Sequence, residues 1–118
     1  MATAEELHRR GVQEIEAGRP AAAVPLLERA AAMNHAESQC ELAVLIYDGH
    51  GGLPVDHAKA AALWQQSADQ DDASAMLQLA ALHEGGEGGL AQDPAAAERL
   101  RARVREEAEA GDEEARAV

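Results

Sequence analysis

Phenylalanine is absent from this chain, and aromatic residues make up 2% of its 118 positions although 47% of them are hydrophobic. Alanine supplies much of that apolar content, which favours helices and lets them approach closely. The β-branched and aromatic residues that strands prefer are scarce, so composition alone points to an all-α fold. Cysteine is almost as rare: Cys40 stands alone, which rules out an intramolecular disulfide and a disulfide-stapled scaffold. Basic residues are few as well, with 10 Lys and Arg against 22 Asp and Glu for a net charge of −12. Between residues 36 and 93, ten acidic side chains face the single Lys59. Such a field repels phosphate backbones and anionic bilayers, which makes nucleic acid and membranes poor partners and a basic protein or peptide a fitting one. The same surplus of acid also keeps an alanine-rich stack in solution.

No apolar run approaches the length of a membrane span. The opening Met1-Ala2-Thr3-Ala4-Glu5-Glu6 has neither the basic region nor the apolar core of a signal peptide. The expected location is therefore the cytoplasm, with the periplasm or secretion open only if a leader has been removed. At this length and without an obvious linker, residues 1–118 are expected to form a single domain.

What the sequence does contain is a repeat. Gly49-His50-Gly51-Gly52-Leu53-Pro54-Val55-Asp56 returns 37 residues later as Gly86-Glu87-Gly88-Gly89-Leu90-Ala91-Gln92-Asp93. Upstream, Leu42-Ala43-Val44-Leu45 matches Leu79-Ala80-Ala81-Leu82, and downstream Ala58, Ala60 and Leu63 match Ala95, Ala97 and Leu100. Each unit reads as a helix, a glycine loop and a second helix. Asp56 and Asp93 are placed to cap the helices that follow, and Pro94 falls at the first helical position, where a missing N–H is harmless. Gly49 and Gly86 stand where the preceding helix must stop, while Gly18-Arg19-Pro20 makes a shorter break in the first unit.

Six helices are predicted near 4–17, 20–33, 36–48, 57–70, 73–84 and 94–110, in units of about 4–35, 36–72 and 73–112. The third and fifth are apolar nearly all round and should be covered on two sides. The sixth carries one narrow stripe, Ala96, Leu100, Val104 and Ala108, as suits the end of a stack.

The stretch Ala36-Glu37-Ser38-Gln39, then Leu42 through Gly49, Gly51-Gly52-Leu53-Pro54, Asp56, Lys59-Ala60, Trp64 and Ala68 resembles one full unit of the Sel1-like repeat (SLR) family, relatives of tetratricopeptide repeats. The unit from Ala73 keeps Leu79, the glycine loop, Asp93 and Ala97 but has Arg101 where Trp64 stands. In residues 4–35, Leu7, Gly11, Gly18, Ala23 and Ala30-Ala31 resemble a tetratricopeptide-type unit with a short turn. The resemblance implies a short α-solenoid of about three antiparallel helix pairs, used as a scaffold that holds a protein or peptide in a concave groove. Lined by the first helix of each pair, that groove would present Glu5, His8 and Val12, then Glu37, Cys40, Val44, Tyr47 and Asp48, then Ser74, Leu77 and Ala81. Tyr47 is either an interface anchor or a ring packed under the glycine loop. Structural roles fall to Gly11, Ala43, Ala80, Trp64, the capping aspartates Asp56 and Asp93, and the loop glycines Gly49, Gly51, Gly52, Gly86, Gly88 and Gly89. Trp64 should fill the seam between neighbouring pairs.

Signs of chemistry are thin. The glycine loops follow helices and contain no Gly-Lys-Ser/Thr, so they are turns and do not cradle phosphate. His8, His35, His50, His57 and His83 form no His-x-x-x-His pair on one helix. Cys40 lies in an apolar helical segment, as an inert packing residue would. Arg99, Arg101, Arg103 and Arg105 alternate round the last helix, with Glu107 and Glu109 four residues beyond Arg103 and Arg105, which suggests a solvated ion-pair face. The leading expectation is therefore a noncatalytic protein-interaction module without catalytic, cofactor or metal site. The alternatives are an immunity or inhibitor protein that occludes a toxin enzyme, and a small metal-dependent hydrolase. Unfinished ends of the stack would also admit a homodimer.

Overall fold

The computed structural model describes residues 1–116, with side-chain surroundings as far as residue 111, so the last residues of the expected 1–118 domain lie outside it. It contains α1 (Ala4–Glu16), α2 (Pro20–Ala32), α3 (Ala36–Asp48), α4 (His57–Ala68), α5 (Ala73–Gly85) and α6 (Pro94–Arg116), and no strand among the described residues. Each helix packs on the next in sequence, α1 on α2 through to α5 on α6. The result is a short all-α solenoid in which α3 and α5 are covered on both sides, as their all-round apolar sequences require.

Local chemistry sets the helix starts. The side chains of Thr3, His35, Asp56, Asp72 and Asp93 each accept a hydrogen bond from a backbone N–H three residues on, at 3.1, 3.3, 3.0, 2.9 and 3.0 Å. Asp93→Ala is expected to cost about 1 kcal/mol, the usual value of such a cap. Urea unfolding should show this as a lower midpoint at unchanged slope.

The two glycine loops are superimposable in their hydrogen bonding. His50 N–H donates to Leu45 O at 2.9 Å and Glu87 N–H to Leu82 O at 3.0 Å; Asp56 N–H donates to Ile46 O and Asp93 N–H to His83 O. Gly49 and Gly86 end their helices at φ of 72° and 67°. Each loop then leans on the previous pair. A Cβ on Gly51 would meet the Pro20 carbonyl and Val24, and one on Gly88 would meet the His57 carbonyl and Ala61. Pro20 and Val24 occupy in α2 the places that His57 and Ala61 occupy in α4, so both loops seat on the first turns of the second helix before them.

Within pairs, small residues set the spacing. Ala23, Ala60 and Ala97, at 37-residue intervals, are all fully buried, as are Ala43 and Ala80. Gly11 takes the corresponding place in α1, where an added Cβ would lie 2.9 Å from Leu27 Cδ2. The larger core side chains are Leu7, Leu27, Leu42, Leu45, Ile46, Trp64, Met76, Leu79 and Leu82.

Two departures from expectation concern α6. It runs to Arg116, past residue 110, because Ala, Glu and Arg from Ala102 onward all favour helix and Gly111 alone costs only about 1 kcal/mol. The expected stripe also stops early: Leu100 and Val104 pack on the core, but Ala108 is exposed because the 13-residue α5 ends before reaching it.

Candidate interaction face

Glu5, Glu37 and Ser74 occupy the second position of α1, α3 and α5; His8, Cys40 and Leu77 the fifth; and Val12, Val44 and Ala81 the ninth. On a helix these positions lie along one side, so the repeat aligns them into three rows. Glu5, Glu37, Asp48, Ser74, Leu77 and Ala81 are exposed, and His8, Val12, Val44 and Tyr47 are half-buried. Leu77, at 48%, is among the most exposed large hydrophobic side chains of the protein. Cys40 is buried and reaches this surface only through the wall of a cleft of about 330 Å³ between the first turns of α3 and α5, which Glu37, Glu41, Asp72 and Ser74 also line. The cleft is acidic, with Ala73 as its remaining contribution.

Tyr47 is held between repeats. Its hydroxyl donates to the Glu87 carboxylate of the second loop, its ring stacks on His57 at 4.0 Å, and it tilts against Trp64 at 5.5 Å. The Glu87 bond, burial and the charge of Glu87 and Asp48 all push its phenol up from the ordinary value. Trp64, on α4, is 2% exposed and packs within the core beside Tyr47 of α3.

Cys40 has the electrostatics of a packing residue. Burial pushes its thiol up to about 12, with Asp72 and Glu41 adding to the rise. A thiol that keeps its proton to that point supplies no thiolate near neutrality. The sign of its linkage is definite: the folded state holds the proton more tightly than the unfolded polypeptide, so this contribution to stability is complete below about 9 and is lost between about 9 and 12. Urea unfolding of the protein and of Cys40→Ala at a series of pH values should therefore show the two converging as pH rises through that window. Parallel curves would contradict a buried thiol.

The joint between the first two pairs holds residues that sequence reasoning passed over. Gln39, 2% exposed, donates to Asn34 Oδ1 at 3.2 Å and accepts from Gln70 Nε2 at 2.9 Å. Ser67 Oγ, also buried, donates to Ala36 O at 2.8 Å. Asn34 and Asp71, 37 residues apart, both adopt left-handed backbone, with φ of 62° and 67°, and His35 and Asp72 follow them as caps. This spacing was a readable signal, but the pairs of unlike residue types hid it. His35 also lies against His8, ring centroids 5.0 Å apart, and His8 Nδ1 is 3.9 Å from Glu37 Oε2.

The arginines of α6 do form ion pairs, though not with Glu107 and Glu109. Arg101 makes a two-pronged bond to Glu84 at 2.8 and 2.7 Å, Arg103 reaches Asp71 at 2.7 Å and Arg105 reaches Glu98 at 2.6 Å. Where Trp64 fills the middle pair, Arg101 crosses to α5 instead. Among the described residues, no group of three His, Cys, Asp or Glu side chains is arranged to hold a metal ion, and no helix is long and apolar enough to cross a membrane.

Repeated helix–loop–helix units, with both glycine loops seated on the pair before them, define a helical-repeat protein. The chain belongs to the Sel1 repeat family, whose repeat matches residues 6–35, 36–72 and 73–100. Several solved structures share the fold, two of them as follows. A protective antigen of uropathogenic Escherichia coli strains, described as displaying an SLR fold, is 20% identical with a TM-score of 0.82. A Sel1 repeat protein from Oxalobacter formigenes is 21% identical with a TM-score of 0.80. The similarity covers 88% of this chain in both but 23% and 43% of those two proteins, so this protein spans less than half their length. None of the curated proteins matches it. Sel1 repeat proteins generally act as protein-interaction scaffolds and are typically noncatalytic.

Proposed function

We propose that this protein is a noncatalytic cytoplasmic module that holds a basic protein or peptide segment along the face formed by α1, α3 and α5. The observation that carries this reading is the composition of the aligned rows. Exposed Leu77 and Ala81 and half-buried Val44 offer an apolar strip, and Glu37, Asp48, Asp72 and Glu41 surround it with negative charge. A segment with apolar anchors and flanking Lys or Arg complements both features. The net charge of −12 would speed its approach and make the encounter sensitive to salt.

A fluorescein-labelled peptide of alternating Lys and Leu serves as a first probe, with a Glu–Leu peptide as its opposite. The protein should bind the first and reject the second. Joint reversal with Glu37→Lys and Asp48→Lys should weaken binding by about tenfold or more, and Leu77→Asp by a similar factor. Equal binding of both peptides, or unchanged affinity in the reversed variant, would overturn the assignment. The inhibitor reading makes a different demand: a tight one-to-one complex with a single basic enzyme and loss of that enzyme's activity.

A further inference from the structure

A second cleft, of about 280 Å³, opens where α4, α5 and α6 meet, and its lining has the opposite character to the first. Arg99 and Arg103 stand one turn apart on α6 at its mouth, Gln65 of α4 faces them, and Leu100 and Ala96 form an apolar part of the wall. His83 of α5 completes it, and its Nδ1 is buried without a hydrogen-bond partner. No carboxylate lines this cleft, in a protein where acids outnumber bases 22 to 10.

We infer that this cleft is a binding site for a single carboxylate carried on an apolar peptide segment, separate from the acidic face of the proposed function. The same helix already shows the chemistry: Arg101, Arg103 and Arg105 each hold a carboxylate of this protein at 2.6 to 2.8 Å. Arg99 is the member of that series without an ion-pair partner among the described residues. Arg103 commits one terminal nitrogen to Asp71, which leaves its remaining N–H groups free for a second acceptor. Two guanidiniums one turn apart present donors in the fork geometry that carboxylates accept. The volume exceeds several times the roughly 30 Å³ of one water, room enough for a carboxylate with its aliphatic arm against Leu100.

Monovalency of the ligand follows from the surrounding field. At −12 overall, a polyphosphate or a run of glutamates is repelled at long range in proportion to its charge, whereas one carboxylate suffers least and gains the same local hydrogen bonds. An apolar segment also benefits from Leu100 and Ala96 in a way that free phosphate does not. The carboxylate belongs either to the C-terminus of a peptide or to an isolated Glu within one, and the chemistry of recognition is shared.

Three labelled peptides separate these sources: acetyl-Leu-Ala-Leu with a free C-terminal carboxylate, the same peptide amidated, and amidated acetyl-Leu-Glu-Leu. Binding is read by NMR of the 118-residue chain, following the arginine Nε–H and His83 ring signals. The free acid, the Glu peptide or both should shift Arg99, Arg103 and His83 saturably, and the amidated Leu-Ala-Leu should bind about tenfold more weakly or worse. Arg99→Gln, which removes an exposed side chain without a partner and leaves the fold intact, should reduce the affinity of the carboxylate peptides by a similar factor, and Lys–Leu peptide binding should not change. Equal binding of acid and amide forms, no effect of Arg99→Gln, or displacement of the peptide by an equal concentration of inorganic phosphate would each overturn the assignment.

Discussion

Trp64→Ala is expected to cost about 3–5 kcal/mol, a large share of what a domain of this size has to lose. The indole is 2% exposed and stands between α3 and α4 with Tyr47 tilted against it. Around it on α4 the buried neighbours are Ala60, Ala61, Ser67 and Ala68, side chains too short to reach into the space it would leave. No phenylalanine exists anywhere to take its place. Collapse of the void would therefore be incomplete, the condition under which large-to-small substitutions are most damaging. Because Trp64 is the only tryptophan, unfolding must be followed by circular dichroism and not by its fluorescence. A solenoid adds a second readout. Its stability is close to a sum of units and nearest-neighbour interfaces, so amide exchange should rise most in α3 to α6 and least in α1 and α2. A loss below about 1 kcal/mol, or uniform acceleration of exchange, would mean that this side chain does not join the pairs.

Much of this arrangement is legible in the sequence because the signals are local and repeat. Gly49 with Gly86 and Asp56 with Asp93 recur at one interval, and the loops they bound have matching hydrogen bonds in the fold. The burial of Trp64 is readable for another reason: in so alanine-rich a protein, one large side chain amid buried positions has to fill core space. The Gln39, Asn34 and Gln70 cluster was not legible, since it occurs at one joint only. The residue 37 positions after Gln39 is Met76, fully buried and apolar, so no repeat betrays the polar version. The ion pairs of α6 failed for the complementary reason. Spacing along a helix proposed Glu107 and Glu109, but Glu84 and Asp71 belong to other elements, and their approach exists only after α4 to α6 have packed. The candidate face occupies an intermediate place. Its residues could be named from the repeat, but that Leu77 is exposed while Cys40, its counterpart one unit earlier, is buried depends on how each pair sits on the next.

Substituting alanine for Gly51 or Gly88 should damage the fold more than the same change at Gly52 or Gly89, although all four glycines have positive φ, between 67° and 80°. Left-handed backbone by itself costs a side-chain-bearing residue about 1–2 kcal/mol, and that is the whole expectation for Gly52 and Gly89, around which no atom lies within 4 Å of an added Cβ. At Gly51 the new methyl would also stand 2.8 Å from Val24 Cγ2 and 3.1 Å from the Pro20 carbonyl oxygen; at Gly88 it would stand 3.0 Å from the His57 carbonyl and 3.1 Å from Ala61 Cβ. Val24 can turn aside, but a carbonyl in the first turn of a helix can move only with that helix. Overpacking of this kind adds about 1–3 kcal/mol, which brings Gly51→Ala and Gly88→Ala to about 2–5 kcal/mol each. The consequence reaches beyond stability. These two contacts seat each loop on the pair before it, and the loops set how one first helix follows another along the proposed binding face. Gly51→Ala and Gly88→Ala should therefore weaken the Lys–Leu peptide even at temperatures where circular dichroism shows the helices intact, while Gly52→Ala and Gly89→Ala leave affinity unchanged. If all four variants unfolded at the same denaturant concentration, backbone conformation alone would govern these loops and the seating contact would carry no weight.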